Sequence, residues 1–135
     1  MPIEIDHLGI AVRSLAEGLQ FYEETLGMIV AHTETVDVEQ VNVAMLPAGE
    51  TAAAPRIELL EAASPDSTIA KFIEKRGPGL HHIALRVENL SEALASLRQA
   101  GGRIMNEPRI GAGGHLYSFV HPASTGGVLV ELIQK

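Results

Sequence analysis

Cysteine and tryptophan are both missing from this 135-residue sequence. Without cysteine, neither a disulfide nor a thiolate metal site can form. No apolar stretch approaches the roughly 18 uninterrupted residues that a membrane helix requires. The first residues, MPIE, also lack the basic and apolar regions of a secretory signal. These absences predict a soluble, cytoplasmic protein.

Positive charge is also scarce. The chain has 10 Lys and Arg residues against 17 Asp and Glu residues, a formal net charge of −7, and no basic run. This balance argues against nucleic acid and against anionic membranes as general partners. A small anionic ligand is still compatible with it, because such a ligand needs only a local cationic patch. The length fits one domain that buries roughly two-thirds of its unfolded surface.

What the sequence does contain is a duplicated pattern of histidine followed by glutamate. His7, in the stretch DHLGIAV, is echoed 75 residues further on by His82, in the stretch HHIALRV. Glu58, in IEL, is echoed 73 residues further on by Glu131, in VEL. A period near half the chain length indicates a duplicated unit. We expect the two copies to build one site together.

Hydrophobic periodicity predicts the same order of elements in both halves: a strand, a helix and three strands. Ser14 begins a capping box for the first helix, which ends at Gly27, and Asn89 does so for its counterpart. Ser64 is the predicted N-cap of a bridging helix, 65–76, with Pro at its first position. The other predicted elements are strands 3–12, 28–37, 40–47, 55–62, 80–88, 103–106, 115–121 and 127–134, and the helix 90–100.

These elements define an α+β fold class. The helix 65–76 would join two βαβββ modules, about residues 3–62 and 80–134. No long linker or low-complexity segment separates the modules. We therefore predict a single domain, residues 1–135.

Strand geometry explains how the four repeated residues come to face a ligand. Side chains two residues apart share one face of a strand. His7 and His82 thus lie on faces with small neighbours, which leave room for a ligand. Glu58 and Glu131 stand between apolar residues, and a carboxylate there is costly to bury unless it is paired or metal-bound.

One alternative is that both glutamates are solvated on an exposed sheet face and that the histidines are ordinary polar positions. Four matched positions instead favour a divalent metal site formed by His7, Glu58, His82 and Glu131, because two imidazoles and two carboxylates make a suitable ligand set. His81 points away from the face of His82, and we interpret it either as structural or as a residue that supports the ligands. His115, beside the glycine-rich stretch 111–114, would line a pocket, and we interpret the stretch itself as a flexible loop or lid.

Tandem βαβββ modules with His and Glu ligands resemble the vicinal oxygen chelate superfamily, which has the glyoxalase-like fold. This resemblance implies that the two modules form a curved mixed sheet around a metal site. Within it, the chain is most similar to the methylmalonyl-CoA epimerase family, over nearly its whole length. The segments that carry this resemblance are DHLGIAV (6–12), SPDSTIAKF (64–72), GLHHIA (79–84), EPRIGAGG (107–114), FVHP (119–122) and GVLVEL (127–132).

The resemblance implies a metal-dependent epimerase that interconverts (2R)- and (2S)-methylmalonyl-CoA by a 1,1-proton transfer through a metal-stabilised enolate. It implies a divalent ion, often Co²⁺, with Mn²⁺, Ni²⁺, Zn²⁺ and Mg²⁺ as alternatives. His7, His82 and Glu131 would be protein ligands. Glu58, which is Gln in some relatives, would bind the metal directly or through water. The resemblance also implies an acyl-CoA substrate and a homodimer.

One departure affects the proton transfer. Some relatives carry a glutamate, proposed as a catalytic base, at the position of Val43, and valine cannot transfer a proton. Glu131 is therefore the predicted catalytic base, with Glu58 or a metal-bound water serving the opposite face of the substrate. Two other functions are open to this superfamily: a glyoxalase I-like lactoylglutathione lyase, and a non-catalytic protein that binds a small molecule. The presence of all four candidate ligands argues against the second.

Overall fold

The computed structural model describes residues 2–135, and its elements follow the predicted order. The strands are Glu4–Ala11 (β1), His32–Val36 (β2), Val41–Pro47 (β3), Arg56–Ala62 (β4), Gly79–Val87 (β5), Arg109–Ile110 (β6), Leu116–Val120 (β7) and Val130–Gln134 (β8). The helices are Leu15–Leu19 (α1), Thr68–Arg76 (α2) and Leu90–Gln99 (α3). Among residues 2–135, no helix is long and apolar enough to cross a membrane.

The eight strands belong to one mixed sheet, in the order β2-β3-β4-β1-β5-β8-β7-β6. In the first half, β1 pairs with β4 in parallel, and β3 lies antiparallel to both β4 and β2. In the second half, β5 pairs with β8 in parallel, and β7 lies antiparallel to both β8 and β6. Each half thus repeats the same pairing scheme, and the predicted α+β class with tandem βαβββ order is confirmed.

Internal contacts divide the chain into two compact units. One unit joins the segment that ends at Asp6 to His82–Lys135, and the other spans His7–His81. The boundaries fall inside β1 and β5, so neither unit coincides with a predicted βαβββ module. The assignment of residues 1–135 to a single domain stays a prediction.

In the unit His7–His81, one helix covers one face of the sheet. The Ser14 hydroxyl accepts a hydrogen bond from the Glu17 N–H (3.1 Å), as the predicted N-cap of α1. Gly18 allows close packing here, because a Cβ at this position would lie 2.9 Å from Val12 Cγ1. The core of this unit consists of Val12, Ala44, Leu46 and Leu59, against which Ile10, Leu15, Leu19, Tyr22, Met28, Val30 and Ile57 pack.

The first helix does not keep one helical period to its end at Gly27. After Leu19 it widens into a π-helical segment, Gln20–Thr25, in which Leu26 N–H donates to Phe21 C=O (3.0 Å). The wider turn changes the phase of the side chains. Leu26, which continues the apolar spacing in the sequence, is therefore 57% exposed.

In the unit that contains His82–Lys135, the two faces of the sheet have separate cores. On one face, Leu90 and Leu94 of α3 pack against Val87. The N-cap of α3 is Asn89, as predicted, and its side chain accepts a hydrogen bond from the Glu92 N–H (3.0 Å). The other face carries a cluster of Ala84, Tyr117 and Ile133, with Phe119 packed against it.

The predicted start of the bridging helix is wrong by three residues. The helix α2 begins at Thr68, and its N-cap is Ser67, whose hydroxyl accepts a hydrogen bond from the Ala70 N–H (3.0 Å). Ser64 donates its hydroxyl hydrogen bond to the Gln40 side chain instead, and its C=O accepts from the Ser67 N–H (3.2 Å). Pro65 thus lies in the turn before the helix. The end at Gly77 is correct, with a φ of 73°.

The predicted strand 103–106 is also wrong. Ile104 makes only an isolated bridge to Val120. The cause lies two residues further on, where the Asn106 side chain accepts the hydrogen bond from the Phe119 N–H (2.9 Å) that a continuing strand would use. Regular pairing resumes in β6, Arg109–Ile110.

A buried ion cluster ties β1 to β5 and to the end of β8. Asp6 has no exposed surface, and its Oδ1 lies 2.9 Å from Arg86 Nη2 and 3.0 Å from Lys135 Nζ. The Arg86 and Lys135 side chains are only 20% and 17% exposed. Removing the Asp6 carboxylate would leave a partly buried ammonium group at Lys135 without this partner, whereas Arg86 would keep Glu4 Oε2 at 3.6 Å from its Nη1.

We therefore expect Asp6→Ala to lower the free energy of unfolding by about 3–5 kcal/mol. Urea denaturation followed by circular dichroism measures this loss. The matched control is Glu107→Ala, which removes an exposed carboxylate 2.6 Å from Arg98; exposed pairs contribute only about 0–1 kcal/mol. Equal losses in the two variants would contradict a structural role for the Asp6 cluster.

Candidate metal centre

The parallel pair β1/β4 positions the first His and Glu. Glu58 is the register partner of Gly9, and His7 lies two residues before Gly9, so His7 and Glu58 share a face. The atoms His7 Nε2 and Glu58 Oε2 are 3.5 Å apart. Both residues are buried, with exposed fractions of 2% and 5%. The apolar neighbours Ile10 and Leu59 pack on the opposite, helix-covered face.

The parallel pair β5/β8 positions the second His and Glu in the same way. Glu131 is the register partner of Ala84, and His82 lies two residues before Ala84. The atoms His82 Nε2 and Glu131 Oε1 are 3.2 Å apart, and both residues are buried. The duplicated sequence pattern thus produces the same local geometry twice, in each case with histidine two positions before the register partner of glutamate.

Three of the four predicted ligands form a cluster suited to a divalent metal. His7, His82 and Glu131 each offer a ligand atom, and these atoms all lie within 4.8 Å of one another. Two imidazoles and a carboxylate are a ligand set that zinc, cobalt, nickel and similar ions accept. Glu58 is not one of these three residues, but its Oε2 lies 3.5 Å from Nε2 of His7, which is. The roles of all four residues as ligands stay a prediction.

Aromatic side chains line the His82–Glu131 pair, and sequence reasoning did not identify them. Phe119 is the register partner of Glu131, and its ring meets the His82 ring edge to face, with the centroids 5.4 Å apart. Tyr117 lies on the same face, with its ring centroid 5.7 Å from that of Phe119. An apolar surrounding of this kind limits the access of water and strengthens electrostatic interactions. The stretch LYSFV (116–120) did contain a signal for them, because alternation along a strand places Tyr117 and Phe119 on one face.

The His7–Glu58 pair has apolar neighbours of a different kind. Met45 is the register partner of Glu58, and Val43 is the partner of Leu60. Both Val43 and Met45 are buried. Because Val43 lies two residues from Met45, it shares the face that carries Glu58. The side chain that departs from the pattern of the resembling family is therefore an apolar wall beside Glu58.

His81 and the glycine-rich stretch before His115 are not members of these pairs. The ring of His81 packs edge to face on Phe72 of α2, with the centroids 5.0 Å apart, as a structural residue would. The glycine-rich stretch forms a short 3-10 turn, Ala112–Gly114, and Gly111 packs on Tyr117 so closely that a Cβ would lie 2.7 Å from the ring. This stretch thus contacts the aromatic side chain next to Phe119. A role for His115 in a pocket stays a prediction.

Comparison with known proteins agrees with this geometry. Residues 6–119 match the family model described as the Glyoxalase/Bleomycin resistance protein/Dioxygenase superfamily, and the chain belongs to this superfamily. It is 43% identical to the protein YqjC of Bacillus subtilis, over 96% of this chain and 91% of the relative. It is also 37% identical to an ethylmalonyl-CoA/methylmalonyl-CoA epimerase of Cereibacter sphaeroides, over 96% of both chains.

A solved structure extends the similarity to a ligand complex. Methylmalonyl-CoA epimerase in complex with methylmalonyl-CoA and NH₄⁺ superimposes with a TM-score of 0.94 at 37% identity. The superposition covers 100% of this chain and 96% of the other. The predicted membership of the vicinal oxygen chelate superfamily and the predicted fold are confirmed.

Proposed function

We propose that the protein is an epimerase that interconverts (2R)- and (2S)-methylmalonyl-CoA. The observation that carries this proposal is the pair of buried His–Glu contacts at matched positions, in a chain 37% identical to an epimerase of this class over 96% of both proteins. Isomerisation at C2 requires removal of a proton from a carbon between a thioester and a carboxylate. Buried carboxylates that are held on rigid strands suit this proton transfer.

A divalent metal held by His7, His82 and Glu131, with Glu58 at or near it, completes the proposed site. The donor set fits, because burial of two carboxylates is costly unless positive charge compensates them. When bound, such an ion would supply Lewis-acid stabilisation of the negative charge that develops on the thioester oxygen, which contributes several kcal/mol. We propose Co²⁺ as the native ion, with Mn²⁺, Ni²⁺, Zn²⁺ and Mg²⁺ as the alternatives to be compared.

The proton transfer then falls to the two glutamates. Glu131 would remove the C2 proton, and the electron pair of the C–H bond would move into the thioester carbonyl. A proton returned to the opposite face of the planar carbon completes the inversion, and Glu58 is the proposed donor. The buried Val43 beside Glu58 offers no ionisable group for this step. Two catalytic roles thus rest on the carboxylates of the His–Glu pairs.

The decisive experiment compares metal-stripped and reconstituted protein with a single epimer of methylmalonyl-CoA. We expect turnover only after a divalent ion is restored, with one ion per chain by elemental analysis. The hemithioacetal of methylglyoxal and glutathione serves as the control substrate, because it tests for a glyoxalase-like lyase. Turnover of the hemithioacetal alone would contradict the epimerase and favour a glyoxalase-like lyase. Binding of methylmalonyl-CoA without turnover of either substrate would favour a non-catalytic role.

The oligomeric state and the compartment complete the proposal. We propose a homodimer that acts in the cytoplasm. Three apolar side chains of the unit His7–His81 are largely exposed: Phe21 (53%), Leu26 (57%) and Ile29 (77%). Their exposure supports a dimer in which a second copy of the chain covers them. Size-exclusion chromatography with light scattering tests the dimer directly. A mass of one chain at micromolar concentration would contradict it.

A further inference from the structure

Arg56 lies beside His7, although it is not one of the candidate ligands. The two residues are register partners in the parallel pair β1/β4. Arg56 is also two residues from Glu58 on the same strand. Neighbouring side chains in register, and side chains two apart on one strand, share a face of the sheet. The guanidinium group therefore belongs to the face that carries the His7–Glu58 pair.

A cavity of about 230 Å³ lies on this part of the unit His7–His81. Its walls include Arg56 and Met45, and they are otherwise mostly small and apolar, as with Ala31 and Ala54. Met45 is the register partner of Glu58, just as Arg56 is the partner of His7. Two walls of the cavity are thus direct neighbours of the His–Glu pair.

The proposed substrate class brings an anion that this guanidinium group could bind. A 2-carboxyacyl thioester carries a free carboxylate, whereas the chain as a whole has a net charge of −7. A guanidinium group is always protonated and offers a planar pair of N–H donors that matches a carboxylate. Arg56 is the cation that the strand register places next to the pair.

We propose that Arg56 determines specificity by binding the free carboxylate of the 2-carboxyacyl group. This inference rests on the proposed function. It assigns Arg56 a task that His7 and Glu58 do not perform, namely distinguishing a malonyl-type thioester from a simple acyl-CoA. The CoA portion is common to both kinds of ligand, so the contribution of Arg56 appears as a difference between them.

The test measures binding by isothermal titration calorimetry with malonyl-CoA and with propionyl-CoA, which lacks the carboxylate. For metal-loaded Arg56→Gln, we expect the affinity for malonyl-CoA to fall about 10–100-fold, as for a lost charge-assisted hydrogen bond. The affinity for propionyl-CoA is expected to stay within about twofold. Arg56→Lys, which keeps the charge but not the planar fork, should recover part of the malonyl-CoA affinity. It also covers the case in which the Gln variant does not fold.

Arg103→Gln is the matched control, because Arg103 is exposed after α3 and its loss changes the net charge equally. We expect it to bind both ligands like the unchanged protein. An equal loss of both ligands in Arg56→Gln would overturn the inference, since Arg56 would then bind the CoA portion. Unchanged malonyl-CoA affinity would overturn it as well. Failure of the unchanged protein to bind malonyl-CoA and to epimerise its substrate would instead remove the proposed function itself.

Discussion

His7→Ala and His82→Ala are each expected to abolish metal-dependent epimerisation and to reduce the bound metal well below one ion per chain. Each histidine is buried against its own glutamate, at 3.5 Å in one pair and 3.2 Å in the other. Ligand atoms of His7, His82 and Glu131 lie within 4.8 Å of one another, so the loss of either imidazole removes one of three clustered donors. Neither half of the chain can then provide the full ligand set by itself.

Metal content by elemental analysis and turnover of a single epimer measure this effect. Because each alanine also removes a buried ring, His7→Gln and His82→Gln should accompany them, and circular dichroism should confirm the fold. His121→Asn is the control, since the His121 Nδ1 caps a 3-10 turn by accepting from the Ala123 N–H, and asparagine can replace that acceptor. Near-normal turnover in a correctly folded His7 or His82 variant would contradict a site shared by both halves.

Much of the fold was predictable because local signals agreed with the periodic pattern. Ser14 and Asn89 are N-caps as expected, and each accepts the hydrogen bond from a backbone N–H three residues later. The start of α2 was predicted wrongly because two serines, Ser64 and Ser67, are possible N-caps. Ser64 has the sequence of an N-cap, but its hydroxyl bonds Gln40, and Ser67 caps α2 instead. Such a choice depends on a contact 24 residues away in sequence, which periodicity does not contain.

The same reasoning explains what was found and missed at the candidate site. The His–Glu pairs were predictable, because a duplicated polar pattern inside apolar strands is rare and its face follows from alternation. Phe119 and Arg56 were not, because their nearness to Glu131 and His7 depends on the register between two paired strands, which the alternation within a single strand does not fix. Register reflects packing of both strands on their helices. It becomes visible only when β1 is aligned with β4 and β7 with β8.

Glu131→Gln is expected to lower epimerase activity by about 10²–10⁴-fold, the usual cost of removing a general base. Glutamine keeps an oxygen donor, so the loss of bound metal should be much smaller than the loss of activity. Glu131 is only 8% exposed, and its register partner on the neighbouring strand is the apolar Phe119. Turnover at saturating metal and elemental analysis on the same sample separate the two effects. Glu107→Gln, at an exposed position, controls for the change in charge.

Isotope exchange identifies the face on which Glu131 acts. Epimerisation in deuterated water should place deuterium at C2, which NMR follows for each pure epimer. If Glu131 and Glu58 act on opposite faces, Glu131→Gln should stop exchange from one epimer, while Glu58 continues to exchange the other. Glu58→Gln should show the reverse preference, and Val43 provides no third group. Exchange of both epimers at the unchanged rate in metal-loaded Glu131→Gln would eliminate Glu131 as the base. The proton transfer would then have to pass through Glu58 and water, and the matched His–Glu pairs would not be equivalent in chemistry.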